Sequence, residues 1–358
     1  MAQGFSPAFA ALKGCATSCF ETSPGGSIRP IMRTSATLTR RQALGLARPR
    51  IAPRDQLVNV LEYEQQAKLT LSPEIFASIA ASDRAAFDRI TLRPRLVVPT
   101  TDLDLSVTIF GDTWFTPIAI GPIATQRHFH PDGEVATLTG AAAAHASIVV
   151  SSRSSVPIGD LAARHSGTIW YQVFASEPAA SGSIRSAVAA GCKAICITAD
   201  TMAPINWKVV DALKRDVTVP VLVKGIATPA EATAALQHGV QGIIASTYGR
   251  RVGPPADGLI LNLAAIVDAV GGTVPVLVDG SFRRGTDIFK ALAFGAKAVL
   301  VGRPVMWGLA AYGAEGVQSV VEMLQTELAR YMAMCGRVNL AMLDRSALQV
   351  HAARRDKT

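Results

Sequence analysis

The chain has 358 residues, 49% hydrophobic and 17% charged, with 29 Gly, 20 Pro and 6% aromatics. That balance excludes a disordered or collagen-like chain, and the length suits two domains or one α/β barrel of roughly 250 residues with additions. Of the net charge of +8, residues 1–50 carry +6 (seven Lys/Arg against Glu21) and the remaining body only +2, which excludes a phosphate-tracking nucleic-acid surface; no apolar run approaches the ~18 residues of a membrane helix.

In chain order, residues 1–50 are rich in Ser, Thr, Ala and Arg and read as a leader or disordered basic segment, with residues 51–358 as the folded domain. Arg40-Arg41 within Thr39–Ala47 resembles a twin-arginine export signal, but Arg48-Pro49-Arg50 cuts its apolar region short. A cytoplasmic protein is therefore expected, with export as the alternative. From Leu57 through Leu61 and Ala67 to Leu71 the apolar spacing is helical, and Ser72-Pro73-Glu74 reads as an N-cap with Pro at the first position of a second short helix.

After Pro99, short β-branched runs recur, each followed by a turn and an Ala-rich amphipathic stretch. They are Pro117–Gly121, Ser147–Ser151, Ile169–Val173, Ala194–Thr198, Pro220–Lys224, Gly242–Ala245, Pro275–Asp279 and Ala298–Val301. Continuous apolar runs indicate strands buried on both faces, and eight of them separated by helices close into a (β/α)8 barrel. A doubly wound open sheet is the rival, but no strand leads into GxGxxG. Val317, Val320, Val321, Leu324 and Leu328 place a helix over residues 314–335 that closes the barrel.

Cys192 and Cys196 form no CxxC and read as buried small hydrophobes, and the five cysteines make no disulfide framework. His128 and His130 lack a Cys or carboxylate partner at ligand spacing, so no metal is expected.

A barrel of this kind keeps its reactive groups where strands end and βα loops begin. Those ends hold Pro122-Ile123-Ala124, Ser151, Gln172, Thr198 with Asp200, Lys224, Ser246 to Arg251, Asp279 to Arg284, and Gly302-Arg303. Asp279-Gly280-Ser281-Phe282-Arg283-Arg284-Gly285 and Gly302-Arg303-Pro304 follow strands seven and eight, the usual phosphate cradle of the fold. Glycines admit an anion to backbone N–H groups and Arg adds a bidentate charge, so a phosphorylated ligand or cofactor is expected.

The stretches Val221–Ile226, Val276–Leu292 and Val301–Pro304, with Asn59–Glu64 and His130–Glu134 further upstream, resemble the FMN-dependent 2-hydroxy-acid oxidase/dehydrogenase family, which includes glycolate oxidase, lactate oxidase and mandelate dehydrogenase. The resemblance implies FMN on the barrel, with Pro122, Ile123 and Ala124 beside the flavin and Ser151, Gln172 and Thr198 bonded to its ring edge. It also implies Lys224 near the flavin N1 and C2 carbonyl, where a cation stabilises reduced flavin, and Asp279, Gly280, Arg283, Gly302 and Arg303 on the ribityl phosphate, with Ser246 and Ser281 in the same set. The implied reaction converts a small 2-hydroxy acid to a 2-oxo acid, by a protein that is commonly tetrameric in this family.

The substrate side departs from that pattern. Where the family has Ser-Asn-His-Gly-Gly-Arg, this chain reads Ser246-Thr247-Tyr248-Gly249-Arg250-Arg251. Arg251 keeps the carboxylate clamp, but Tyr248 stands in place of the His that takes the hydroxyl proton. A free phenol titrates at ~10 against ~6.5 for imidazole, and losing a general base typically costs about 10²- to 10⁴-fold in rate; Tyr248 serves as a base only if Arg250 or Arg251 lowers its pKa. Asp200 matches the aspartate that orients the missing His. Ser78 and Phe174 replace the family's two active-site tyrosines, no Arg follows Asp200, and only about twenty residues separate Asp200 from Pro220 where the family inserts a long excursion. Altered oxidoreductase chemistry is expected, with a catalytically inactive FMN-binding barrel as the alternative.

Overall fold

The computed structural model describes residues 50–82, 84–95, 102–165, 167–199, 204–215, 217–248 and 258–352; the leader and its Arg40-Arg41 pair lie outside them. Helix α1 (Val60–Thr70) starts where Asn59 accepts from the Leu61 amide. Ser72 caps α2 (Pro73–Ile79) through the Ile75 amide, with Pro73 at the first position. Pro supplies no amide where a helix start has no partner for one. A short helix, α3 (Ala85–Asp88), leads to a strand Ile90–Leu92, which pairs antiparallel with Leu348–Val350 and ties the C-terminus back to the start of the fold.

Eight parallel strands then close a barrel: β1 (Ile118–Ile120), β2 (Ser147–Ser151), β3 (Ile169–Phe174), β4 (Ile195–Thr198), β5 (Val221–Ile226), β6 (Gly242–Ala245), β7 (Val276–Asp279) and β8 (Ala298–Val301). Closure is by β8 on β1, Val299 opposite Ile118. Each strand is the apolar run read from the sequence, because a strand buried on both faces has no polar positions to alternate. Ends differ: β3 runs to Phe174 and β5 two residues beyond Lys224, where its register with β6 shifts between Lys224 and Ile226.

The helices of the outer layer are α4 (Gly133–Ala143), α5 (Ile158–Ala162), α6 (Ala180–Ala189), α7 (Trp207–Lys214), α8 (Pro229–Gln237), α9 (Leu259–Val270), α10 (Gly285–Ala293) and α11 (Arg303–Met334). The last breaks at Tyr312 and Gly313, and its second half buries Val317, Val320, Val321, Leu324 and Leu328 against α4 and α1. Inside the barrel, Val149, Trp170, Cys196, Leu222, Ile244 and Leu277 form a separate core, stoppered by the hairpin Val107–Ile109/Asp112–Trp114, whose Trp114 ring lies 4.9 Å from that of Trp170. Cys192 and Cys196 are free and buried, and desolvation pushes both thiols up to about 12, so they pack as hydrophobes. Among the described residues no helix is long and apolar enough to cross a membrane, and no group of His, Cys, Asp and Glu is arranged to hold a metal.

Candidate active site

At the C-terminal mouth of the barrel the strand ends carry a connected polar row. Ser151 Oγ donates to Gln172 Oε1 at 2.9 Å, and Gln172 Nε2 donates to Thr198 Oγ1 at 2.9 Å. All three are buried, and Ser151 Oγ also accepts from the Arg153 amide at 3.2 Å; polar valences left over at the cavity wall suit a hydrogen-bonding ligand. On β5, Lys224 is 3% exposed; its Nζ lies 2.6 Å from Asp279 Oδ2 and donates to Ser246 Oγ at 2.9 Å. Ser246 Oγ also accepts from the Tyr248 amide at 3.2 Å. The Tyr248 ring covers the outer side of this network: Lys224 Nζ lies 5.1 Å from its centroid, a cation–π contact, and the residue, 65% exposed, lines the mouth.

Arg283 anchors the other end. It is 1% exposed, its Nη1 donates to the Phe282 carbonyl at 2.8 Å, and its guanidinium stacks 4.7 Å from the Trp307 ring centroid. Nε and Nη2 are buried without a partner. Burial, with Arg303 nearby, pulls its pKa down to about 9. Asp287 shapes the loop: Oδ2 accepts from the Arg283 and Arg284 amides, both at 2.9 Å, while both carboxylate oxygens receive Arg84 Nη2 at 2.7 Å. Gly280 sits at φ +111, with no atom within 4 Å of the place its Cβ would occupy, which leaves the backbone open to an anion. Gly285 permits a close approach, since a Cβ there would meet the Leu328 amide nitrogen at 2.3 Å.

These ends enclose one cavity of about 780 Å³. Pro122, Ile123 and Ala124 from the loop after β1 line it, as do Ser151, Gln172, Thr198 and Lys224, and Asp279, Gly280, Ser281, Arg283, Gly302 and Arg303 from the loops after β7 and β8. Of the described site residues expected from sequence, Ser246 alone lies behind the wall, fully buried under Lys224. Asp200 and Arg251 lie outside the described residues. The pairing of Asp279 with Lys224 gives the carboxylate a second task that the Gly/Arg loop pattern did not signal. Sequence reasoning also missed Asp287, whose spacing four residues after Arg283 was its available signal, and the wall formed by Glu74, Ile75 and Phe129. His128, read as a poor metal ligand, is on that wall too.

The family model described as FMN-dependent dehydrogenase matches residues 77–206 and 201–350. The chain belongs to the FMN-dependent dehydrogenase family. It is an FMN-dependent oxidoreductase, and relatives support the assignment along its length. A peroxisomal (S)-2-hydroxy-acid oxidase of Oryza sativa subsp. japonica is 36% identical, over 83% of this chain and 97% of the relative. An L-lactate oxidase of a Roseobacter species is 37% identical, over 79% and 92%. A crystal structure of mandelate oxidase with (S)-2-phenylpropionate superposes with a TM-score of 0.78 at 33% identity, covering 83% of this chain and all of that one.

The residues that line the cavity fit FMN. A buried guanidinium with two unpartnered N–H donors, beside Arg303 and the bare Gly280 backbone, fits a phosphate. The polar row and Lys224 fit the edge of a ring that carries hydrogen-bonding atoms and gains charge on reduction.

Proposed function

We propose that the protein oxidises a small 2-hydroxy acid to the corresponding 2-oxo acid. The observation that carries this reading is the continuity of one cavity from the unpartnered Arg283 guanidinium to the buried Lys224–Asp279 pair. Bound FMN would supply a two-electron acceptor for the substrate's Cα hydrogen. Arg283 and Arg303, with the backbone of Gly280 and Gly302, hold the phosphate. Ser151, Gln172 and Thr198 fix the flavin edge, while Pro122, Ile123 and Ala124 pack beside it.

Lys224 holds its charge where negative charge accumulates on reduction, and its short bond to Asp279 keeps the ammonium from turning to solvent. By the family resemblance, Arg251 would clamp the substrate carboxylate, while Asp200 matches the aspartate that orients the family's histidine and has lost that partner. Tyr248, exposed at the mouth, donates its hydroxyl to the bound carboxylate. A second reading, an FMN-binding barrel without turnover, is favoured by Tyr248, Ser78 and Phe174 standing where the family has a histidine and two tyrosines.

Incubating the flavin-loaded protein with glycolate, L-lactate and (S)-mandelate separates the two. A 2-oxo acid formed from one of them is the expected result. A flavin-loaded protein that forms none would leave the binding-only reading standing.

A further inference from the structure

Oxidation of a 2-hydroxy acid frees a proton from the substrate hydroxyl, and some group in the cavity must take it. Among the described wall residues, Lys224, Arg283 and Arg303 are cations with no lone pair to offer, and the Asp279 carboxylate is committed to Lys224 at 2.6 Å. Tyr248 offers a phenol, a side-chain type less suited than imidazole to accepting a proton. Glu74 opens α2, where its own backbone amide and the Ser72 hydroxyl hold the carboxyl below its ordinary range and make it a weak base.

His128 is left. It is the one imidazole on the cavity wall, and its ring makes no hydrogen bond among the described residues. Imidazole is also the side chain that exchanges a proton near neutral pH. Its position is built, not incidental. His128 ends the 3-10 turn Gln126–His128, which begins from Thr125 at φ +47, a left-handed conformation that a β-branched residue adopts only when its surroundings impose it. The buried Glu134 carboxylate accepts from the Gln126 amide at 3.1 Å and the Ser155 amide at 2.8 Å, Thr137 Oγ1 donates to Gln126 Oε1 at 2.6 Å, and the Arg127 amide donates to Ser155 Oγ at 3.2 Å. The backbone of this turn is braced from α4 and from the loop after β2, and it places the solvent-exposed His128 side chain on the cavity wall.

We propose that His128 is the proton acceptor of this enzyme, so that the base has moved from the loop after β6 to the loop after β1. The substrate O–H bond breaks and its proton passes to the His128 imidazole, directly or through one water. The carbon–oxygen bond becomes a carbonyl as the Cα hydrogen leaves with its electron pair for oxidised flavin; the alcohol is oxidised and the flavin reduced. This assignment rests on the 2-hydroxy-acid reading above.

The test compares anaerobic flavin reduction in the wild-type holoenzyme, His128→Gln and Asp200→Asn across pH, using whichever of glycolate, lactate or mandelate reduces the wild type. It adds the NMR titration of the His128 ring in labelled holoenzyme with and without pyruvate. The expected results are a wild-type rate that falls as pH drops and the imidazole protonates, and a His128→Gln rate lower by about 10²- to 10⁴-fold at unchanged flavin content. The titration of the His128 ring should move when pyruvate binds. A His128→Gln rate equal to wild type, a pH limb removed by Asp200→Asn instead, or a ring signal indifferent to pyruvate would overturn the assignment while leaving the reaction intact. A wild type reduced by none of the three acids would defeat both.

Discussion

A buried guanidinium with two unpaired donors is unfavourable unless an anion completes it, which makes Arg283 a binding residue whose energetics differ between the free and the loaded protein. Truncating it with Arg283→Met removes two charge-assisted bonds at about 1.5–3 kcal/mol each. FMN affinity should fall by roughly 10²- to 10⁴-fold, with little loss of apoprotein stability, because the free protein gives up an unsatisfied charge. Flavin-fluorescence titration and denaturant melts of the apoprotein check the two halves. The depressed pKa of about 9 adds a pH signature. Below it the free protein already holds the cation that phosphate needs; above it binding must take up a proton. The FMN dissociation constant should therefore rise about tenfold per pH unit above that point, and an affinity flat to pH 10 would show that Arg283 keeps its charge despite burial. Arg283 and Lys224 were legible in the sequence because a charge at the end of an apolar strand, next to glycines, has few other uses. The Lys224–Asp279 and Arg283–Trp307 contacts were not, since they join residues far apart in the chain.

At the scale of elements, the eight strands were readable because each is an uninterrupted apolar run, whereas the hairpin Val107–Ile109/Asp112–Trp114 has strands of three residues and too little periodicity to detect. The break in α11 at Tyr312 and Gly313 likewise escapes an apolar pattern that continues across it. The walls of the site were the least legible part: Glu74, Phe129 and His128 reach the cavity only through the way α2 and the turn after β1 fold over it. The loop after β7 depends on Asp287, which is 1% exposed, accepts from two amides and receives Arg84 Nη2 on both carboxylate oxygens. Asp287→Ala leaves Arg84 without its partner and two amides unsatisfied, and breaking such a buried pair costs about 3–5 kcal/mol. Urea unfolding should register that loss together with loss of flavin; a variant of wild-type stability would show that the loop is held elsewhere.

For the whole molecule, the informative feature is the short connection between β4 and β5. The two stretches matched to the family model meet at 201–206, and 83% of this chain aligns with 97% of the rice relative, as expected if a family excursion is missing there. In its place stand about twenty residues containing the two-turn helix α7. A connection of that length reaches little beyond its own crossover, so bound flavin should face solvent; iodide should quench its fluorescence within about tenfold of its effect on free FMN, since water exclusion needs a closed cover. Stronger protection would mean that another segment closes the site. Whether this barrel holds FMN and passes it electrons from a 2-hydroxy acid is read directly from the visible spectrum of the purified protein, recorded anaerobically before and after addition of glycolate, lactate and mandelate. Yellow bound flavin bleached by at least one acid is the expected result; flavin that stays oxidised with all three, or a protein that binds none, would contradict the proposed function.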